Sequence, residues 1–353
     1  MKMKRLILIA TATLCLAACG DRLNVSPSGP GTVPIRIGAA ISGAPATRAN
    51  AQNIQSTELA AGQTVGVYIY FKDAKTTDIT YSYGYKNLEY TVSGTSGDLA
   101  LVTAANQPYF PELKTQNVDI YAFSPRTGVY TATTDELSTL TAQDVFATEA
   151  DQTTEANYKA SDFVWGKKAD VTNGTATAVE VVMDHMLSKI NVNVAPGTGM
   201  TLAKLDKAKV TINDVVLLGT VDFSTGAATL RTAATGQTLT LSSAIDQSVT
   251  TTFGTSPTYT AATTSAVIIP QTIAASATTT SPVNIITIQL WDPNANSGAG
   301  DYTSTYNVKA TAPMTFAAKT VYTYNIVVST QGISLTTTIN DWTTGTTTTG
   351  TAE

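Results

Sequence analysis

From Thr64 to Val328 the chain is a succession of short runs rich in threonine, valine, tyrosine and isoleucine, each closed by glycine, asparagine, aspartate or proline. β-Branched and aromatic side chains lose freedom in a helix but pack well on a pleated surface. The runs 64–71, 79–85, 118–123 and 179–183 therefore read as strands, as do 189–194, 208–218, 238–241, 265–270, 284–291, 302–309 and 320–328. Helix is scarce, with candidates only at 134–146 and 53–60. Closely spaced strands with turn signals between them, and no alternating helices, predict antiparallel sandwiches rather than a parallel sheet. The expectation is an all-β chain of two tandem antiparallel β-sandwich domains, 49–178 and 179–353.

What precedes residue 49 has a different character. Lys2, Lys4 and Arg5 lead into an apolar run, Leu6 to Leu16, and then Ala17-Ala18-Cys19. A charged start, a short apolar stretch and small residues before a cut describe a secretory signal over 1–18, and the run is too short to span a bilayer. The cysteine placed directly after the small residues resembles a bacterial lipobox. On that resemblance Cys19 becomes the lipidated first residue, anchored by acyl chains. Cys15 leaves with the signal, so no disulfide framework is available. Residues 20–32, rich in proline, glycine and serine, read as a spacer.

Residues 33–41 alternate cleanly. Val33, Ile35, Ile37, Ala39 and Ile41 share one face, while Pro34, Arg36, Gly38 and Ala40 share the other. A small, polar, proline-interrupted tether follows, carrying Arg48 before Ala49. This is a strand on a cuttable leash, the segment 19–48 forming a propeptide whose first strand can be removed. Burial of its four large residues, Val33, Ile35, Ile37 and Ile41, is worth about 6–12 kcal/mol as an upper figure, so cutting rather than spontaneous exchange would release it. An ordinary permanent edge strand remains the alternative. A similar face recurs at Ile333, Leu335, Thr337 and Ile339. These make 332–341 a candidate donor strand, or else a core strand of the second sandwich.

Lys and Arg total 21 against 26 Asp and Glu, for a formal net charge of −5, with no basic run. Nucleic acid is not an expected partner. The single histidine, His185, lies in an apolar strand pattern and is read as a buried structural residue. With no HExxH or CxxC spacing, no metal, cofactor or catalytic residue is expected, and the chain is not read as an enzyme. Asp292 to Asp301 superficially resembles a calcium loop but has Ser297 and Thr303 where glycine and glutamate belong, and it reads as a hairpin loop. Tyr81, Tyr83 and Tyr85 share a face suited to cross-strand packing. Trp165, Trp291 and Trp342 read as core or domain-edge anchors.

Several stretches together resemble the fimbrillin (type V pilin) family of Gram-negative anaerobes. They are Thr47-Arg48-Ala49, Ala61-Gly-Gln-Thr-Val-Gly-Val-Tyr68, Val118-Asp-Ile-Tyr-Ala-Phe-Ser-Pro125, and Asp151-Gln152 with Ser161-Asp-Phe-Val-Trp-Gly166. In the second half come His185 to Val192, Val267-Ile-Ile-Pro-Gln-Thr272, Tyr322-Thr-Tyr-Asn-Ile326 and Ile339-Asn-Asp-Trp342. The resemblance implies transthyretin-like sandwiches and export as an outer-membrane lipoprotein precursor. It implies cleavage between Arg48 and Ala49 by an arginine-specific protease, release of the first strand, and polymerisation with other pilin subunits into an adhesive cell-surface fimbrium. Host or bacterial surface ligands would be further partners. A non-polymerising surface adhesin or glycan-binding lipoprotein of the same fold is the alternative.

Overall fold

The computed structural model describes residues 30–42, 59–72, 84–93, 98–126, 145–205, 207–231, 235–241, 250–273, 283–291, 302–310, 313–341 and 347–350. Strands dominate, as the composition requires. Cys19, Arg48, Ala49, Tyr81, Tyr83, Trp342 and the 292–301 loop lie outside the described residues, as do most of the helix candidates 53–60 and 134–146.

Seven strands close into a barrel. In order around it they are Val179–His185, Ile37–Ile41, Asp98–Leu101, Gly84–Ser93, Thr64–Phe71, Val118–Ser124 and Val164–Val171, which pairs back onto the first. Period two explains how one strand serves two cores. In Thr64–Phe71, Val65, Val67, Ile69 and Phe71 fill the barrel interior, while Tyr68 and Tyr70 point outward into a second apolar cluster with Tyr121, Phe123 and Phe163. Gly66 stands where any Cβ would come within 2.2 Å of the Phe123 ring, which lets that ring lie flat across the wall.

The remaining strands form chiefly a six-stranded sheet and a four-stranded sheet. The larger runs Thr250–Phe253, Tyr259–Ile268, Ser188–Pro196, Thr320–Ser329, Gly332–Asp341, Thr347–Gly350. The smaller runs Gln237–Thr240, Lys209–Val215, Val283–Trp291, Tyr302–Ala310. Ile190, Val192, Tyr324 and Ile326 of one meet Val210, Ile212, Ile286 and Ile288 of the other in a single core, a sandwich.

Four features differ from the sequence expectation. Val179–His185 completes the barrel instead of opening the second half, so the chain changes body beyond the expected junction at 178, through Met186 and Leu187. The pairing is not purely antiparallel: Ile37–Ile41 runs parallel to Val179–His185, and Ser188–Pro196 parallel to Thr320–Ser329. The 208–218 run divides into Lys209–Val215 and Leu218–Asp222. Helix occurs at Glu155–Ser161, where Thr154 Oγ1 accepts from the Asn157 amide at 3.2 Å, and Val145–Ala147, expected to end a helix, is a strand paired with Leu218–Asp222. A seven-residue helix is too short to show a period of 3.6, and Thr154 before Glu155 is its one sequence signal.

The outer aromatic cluster carries barrel and sandwich against one another. Phe123, Phe146, Phe163 and Phe223 pack ring to ring, and the Trp165 indole donates to the Phe223 carbonyl at 2.8 Å. Gln152 works as a short piece of strand: its amide nitrogen donates to the Val267 carbonyl and its oxygen accepts from the Val267 amide, both at 2.8 Å.

Candidate functional site: the first strand and its bed

The sequence face 33–41 is interrupted after Pro34. Proline has no amide to offer a ladder, and the chain divides into Pro30–Pro34, paired with Tyr109–Pro111, and Ile37–Ile41 in the barrel. Between them the Ile35 amide donates to the Pro108 carbonyl at 2.8 Å, and Gln107 Nε2 donates to the Ile35 carbonyl at 3.2 Å.

The break changes which residues face inward. Ile35, Ile37, Ala39 and Ile41 are buried in the barrel core, but Val33 is 39% exposed, because the pairing of 30–34 shifts register and turns it off the face. Val33 borders an open cleft of about 640 Å³ with Pro30, Glu112, Lys114 and Asn173. The buried large residues are therefore three rather than four, and the upper figure for their burial falls to about 4–9 kcal/mol.

Among the described residues the strand makes five register pairs with Val179–His185, from Val179 with Ile37 to Met183 with Ile41, and one with Asp98–Leu101, Gly38 with Asp98. Backbone bonds fasten both ends on the 179–185 side: the Val179 amide to the Arg36 carbonyl at 2.8 Å, and the Ser42 amide to the Met183 carbonyl at 2.7 Å. Among the described residues, Ile37–Ile41 lies between Val179–His185 and Asp98–Leu101 and joins them to close the barrel.

At the exit of the strand Ser42 Oγ donates to Asp184 Oδ1, and Asp184 Oδ2 accepts from Lys319 Nζ at 2.9 Å. Burial raises the Asp184 pKa, but the Ser42 and Lys319 hydrogen bonds, with the Lys319 and His185 charges, outweigh it and hold the carboxyl below its usual range. Ser42, Asp184 and Lys319 escaped sequence reasoning: 142 and 135 positions separate the partners, and no local pattern marks them.

The other expected positions are distributed. His185 is buried, its Nδ1 2.9 Å from Asp162 Oδ1. Tyr85 packs edge-on against Phe71 and accepts from the Tyr109 amide. Ile333 and Leu335 are half-buried against the sandwich core, and the 332–341 strand that carries them and Ile339 is paired along its length with Thr320–Ser329, Ile339 standing opposite Tyr322. Among the described residues there is no group of three or more His, Cys, Asp or Glu that could hold a metal, and no helix is long and apolar enough to cross a membrane.

A sequence profile described as fimbrillin-like matches residues 47–342. The chain belongs to the fimbrillin-like family. Family membership supports a fimbrial or adhesin-like role at the cell surface, in association with other fimbrial subunits; this is a family of fimbrial proteins, not of enzymes. The fold of this fimbrillin-like chain is shared with solved Bacteroides proteins. A candidate cell adhesion protein from Bacteroides ovatus superposes with a TM-score of 0.60 at 18% identity, over 88% of this chain and 98% of its own. One from Bacteroides uniformis does so with a TM-score of 0.55 at 21% identity, over the same shares. No curated protein matches in sequence.

Proposed function

We propose that this chain is a non-enzymatic structural pilin subunit, exported as an outer-membrane lipoprotein precursor lipidated at Cys19. An arginine-specific protease cuts between Arg48 and Ala49, the first strand leaves, and a strand of a neighbouring subunit takes its place. The observation that carries this reading is the closing strand: Ile37–Ile41 buries its apolar face in the barrel and, among the described residues, joins the two strands beside it. Its withdrawal would leave two unpaired edges and a dry trough, surfaces that proteins ordinarily cover, and a donor strand restores both backbone bonds and burial. The order Ile333, Leu335, Thr337, Ile339, Asn340 follows Ile35, Ile37, Ala39, Ile41, Ser42 in placing large apolar residues at the first, second and fourth positions, a smaller one at the third and a polar one at the fifth.

One observation favours a second reading. The 332–341 strand is internal to its own six-stranded sheet, between Thr320–Ser329 and Thr347–Gly350, and a strand so paired is not a free donor. A non-polymerising surface adhesin or glycan-binding lipoprotein would keep it there.

The two readings separate on residues 20–353 treated with an arginine-specific protease. A new N-terminus at Ala49 with a ladder of multimers on unboiled gels, abolished by Arg48→Ala, is the expected result. Resistance at Arg48 under native conditions would sink the cleavage mechanism and select the adhesin, and clean cutting without multimers would point to a tip or anchor subunit that needs a different partner.

A further inference from the structure

We propose that Asp184 is a specificity-determining residue of the trough. It selects for a hydrogen-bond donor on the residue that follows the last buried position of whichever strand fills it. This deepens, and rests on, the strand-exchange reading given above.

Three observations meet at this carboxylate. Its neighbour Met183 lies opposite Ile41, so Asp184 stands one step beyond the last buried residue of the strand, where the next side chain must come. One of its oxygens accepts from the Ser42 hydroxyl, and the Ser42 amide is bonded to the Met183 carbonyl at 2.7 Å, which fixes the approach of that side chain. Its other oxygen accepts from Lys319 Nζ at 2.9 Å, and the Lys319 amide donates to the Leu187 carbonyl at 2.9 Å, an ion pair that favours the carboxylate orientation facing the strand. An apolar residue at the position of Ser42 would forfeit this charge-assisted bond and leave the partly exposed carboxylate oxygen to water, so the strand carrying a donor there is preferred by the worth of that bond.

The occupant this chemistry calls for is an extended segment reading large, any, small, any, large, then serine, threonine or asparagine. A second copy of this chain offers such a segment at Leu335-Thr-Thr-Thr-Ile339-Asn340. Here the amide of Asn340 would take the part of the Ser42 hydroxyl.

Two measurements test the assignment, and the first needs no cleavage. In the uncut chain, Ser42→Thr keeps a hydroxyl and Ser42→Val has the same shape without one. Amide hydrogen exchange at Ile37 to Ile41 should be unchanged in the first and faster by roughly tenfold in the second. With Asp184→Ala the two variants should become indistinguishable. Equal protection in the Thr and Val variants above an intact Asp184 would overturn the proposal whether or not the strand ever leaves.

The second measurement uses the chain cut at Arg48 and labelled peptides of residues 331–343. The native peptide should outcompete its Asn340→Leu variant by about tenfold over Asp184 and not over Asp184→Ala. Equal binding of the two peptides to the native chain would overturn the proposal. If neither peptide binds while the Thr and Val variants differ as expected, strand exchange from this segment fails and the role of Asp184 toward the resident strand stands.

Discussion

The ring of Trp165 lies against Gly226 so closely that a Cβ added there would come within 2.6 Å of the indole, and Gly226 also has a φ of +74°. The barrel wall and the 218–230 hairpin meet at this contact. Gly226→Ala adds both a steric overlap and a strained backbone, so it should destabilise the chain by about 2–4 kcal/mol. Chemical denaturation followed by Trp fluorescence measures the cost. A change below about 0.5 kcal/mol would mean that the indole moves aside freely.

Gln152 makes a second, polar contact of the same kind. Its side chain pairs with both backbone groups of Val267, and it is itself buried. Gln152→Ala leaves a donor and an acceptor without partners, at roughly 1–3 kcal/mol each before any water enters. Gln152→Glu should cost about as much, since it keeps the shape but has no N–H to donate to the Val267 carbonyl. Parallel melting curves of the two variants check this.

These contacts show where sequence reading succeeds and where it stops. The strands at 64–71 and 118–123 are legible from composition, because β-branched and aromatic side chains suit a pleated surface buried on both faces. That Val179–His185 belongs to the barrel has no local mark, because it alternates like any strand and Val179 stands opposite Ile37, 142 positions earlier. Val33 was assigned to the buried face because the alternation runs through Pro34 unbroken. The break arises from the amide that proline lacks and from pairing with Tyr109–Pro111, neither of which leaves a mark in the apolar pattern. Asp184 and Lys319 were invisible for the same reason: an acid and a base far apart in the chain look like any two solvated charges.

The corrected inward face predicts an asymmetry within the first strand. Ile37→Ala and Ile41→Ala remove buried side chains from the barrel core and should each cost about 2–4 kcal/mol. Val33→Ala, at a residue 39% exposed, should stay within about 0.5 kcal/mol. After cleavage at Arg48 the two isoleucine variants should also lose the 20–48 piece faster than the native chain, as followed by mass spectrometry of the native-state mixture. A Val33→Ala cost equal to that of Ile37→Ala would restore the unbroken nine-residue strand.

The Asp184 contact carries its own pH signature. Its folded pKa is depressed below the ordinary 3.8, burial opposing and the Ser42 and Lys319 hydrogen bonds prevailing. The unfolded chain therefore binds this proton more readily than the folded one. The stabilisation is complete above the unfolded value, at about pH 5 and higher, and is lost as pH falls through the depressed folded value. Because Asp184 and Lys319 are each more than a third exposed, solvent screens the pair and the contribution stays at or below about 1 kcal/mol. The native chain should then be more stable than Asp184→Ala at pH 6, and the difference should shrink toward zero as pH falls to about 2.5. Urea midpoints at the two pH values read this directly: a difference that persists unchanged in acid would assign the Asp184 contribution to packing rather than to its charge.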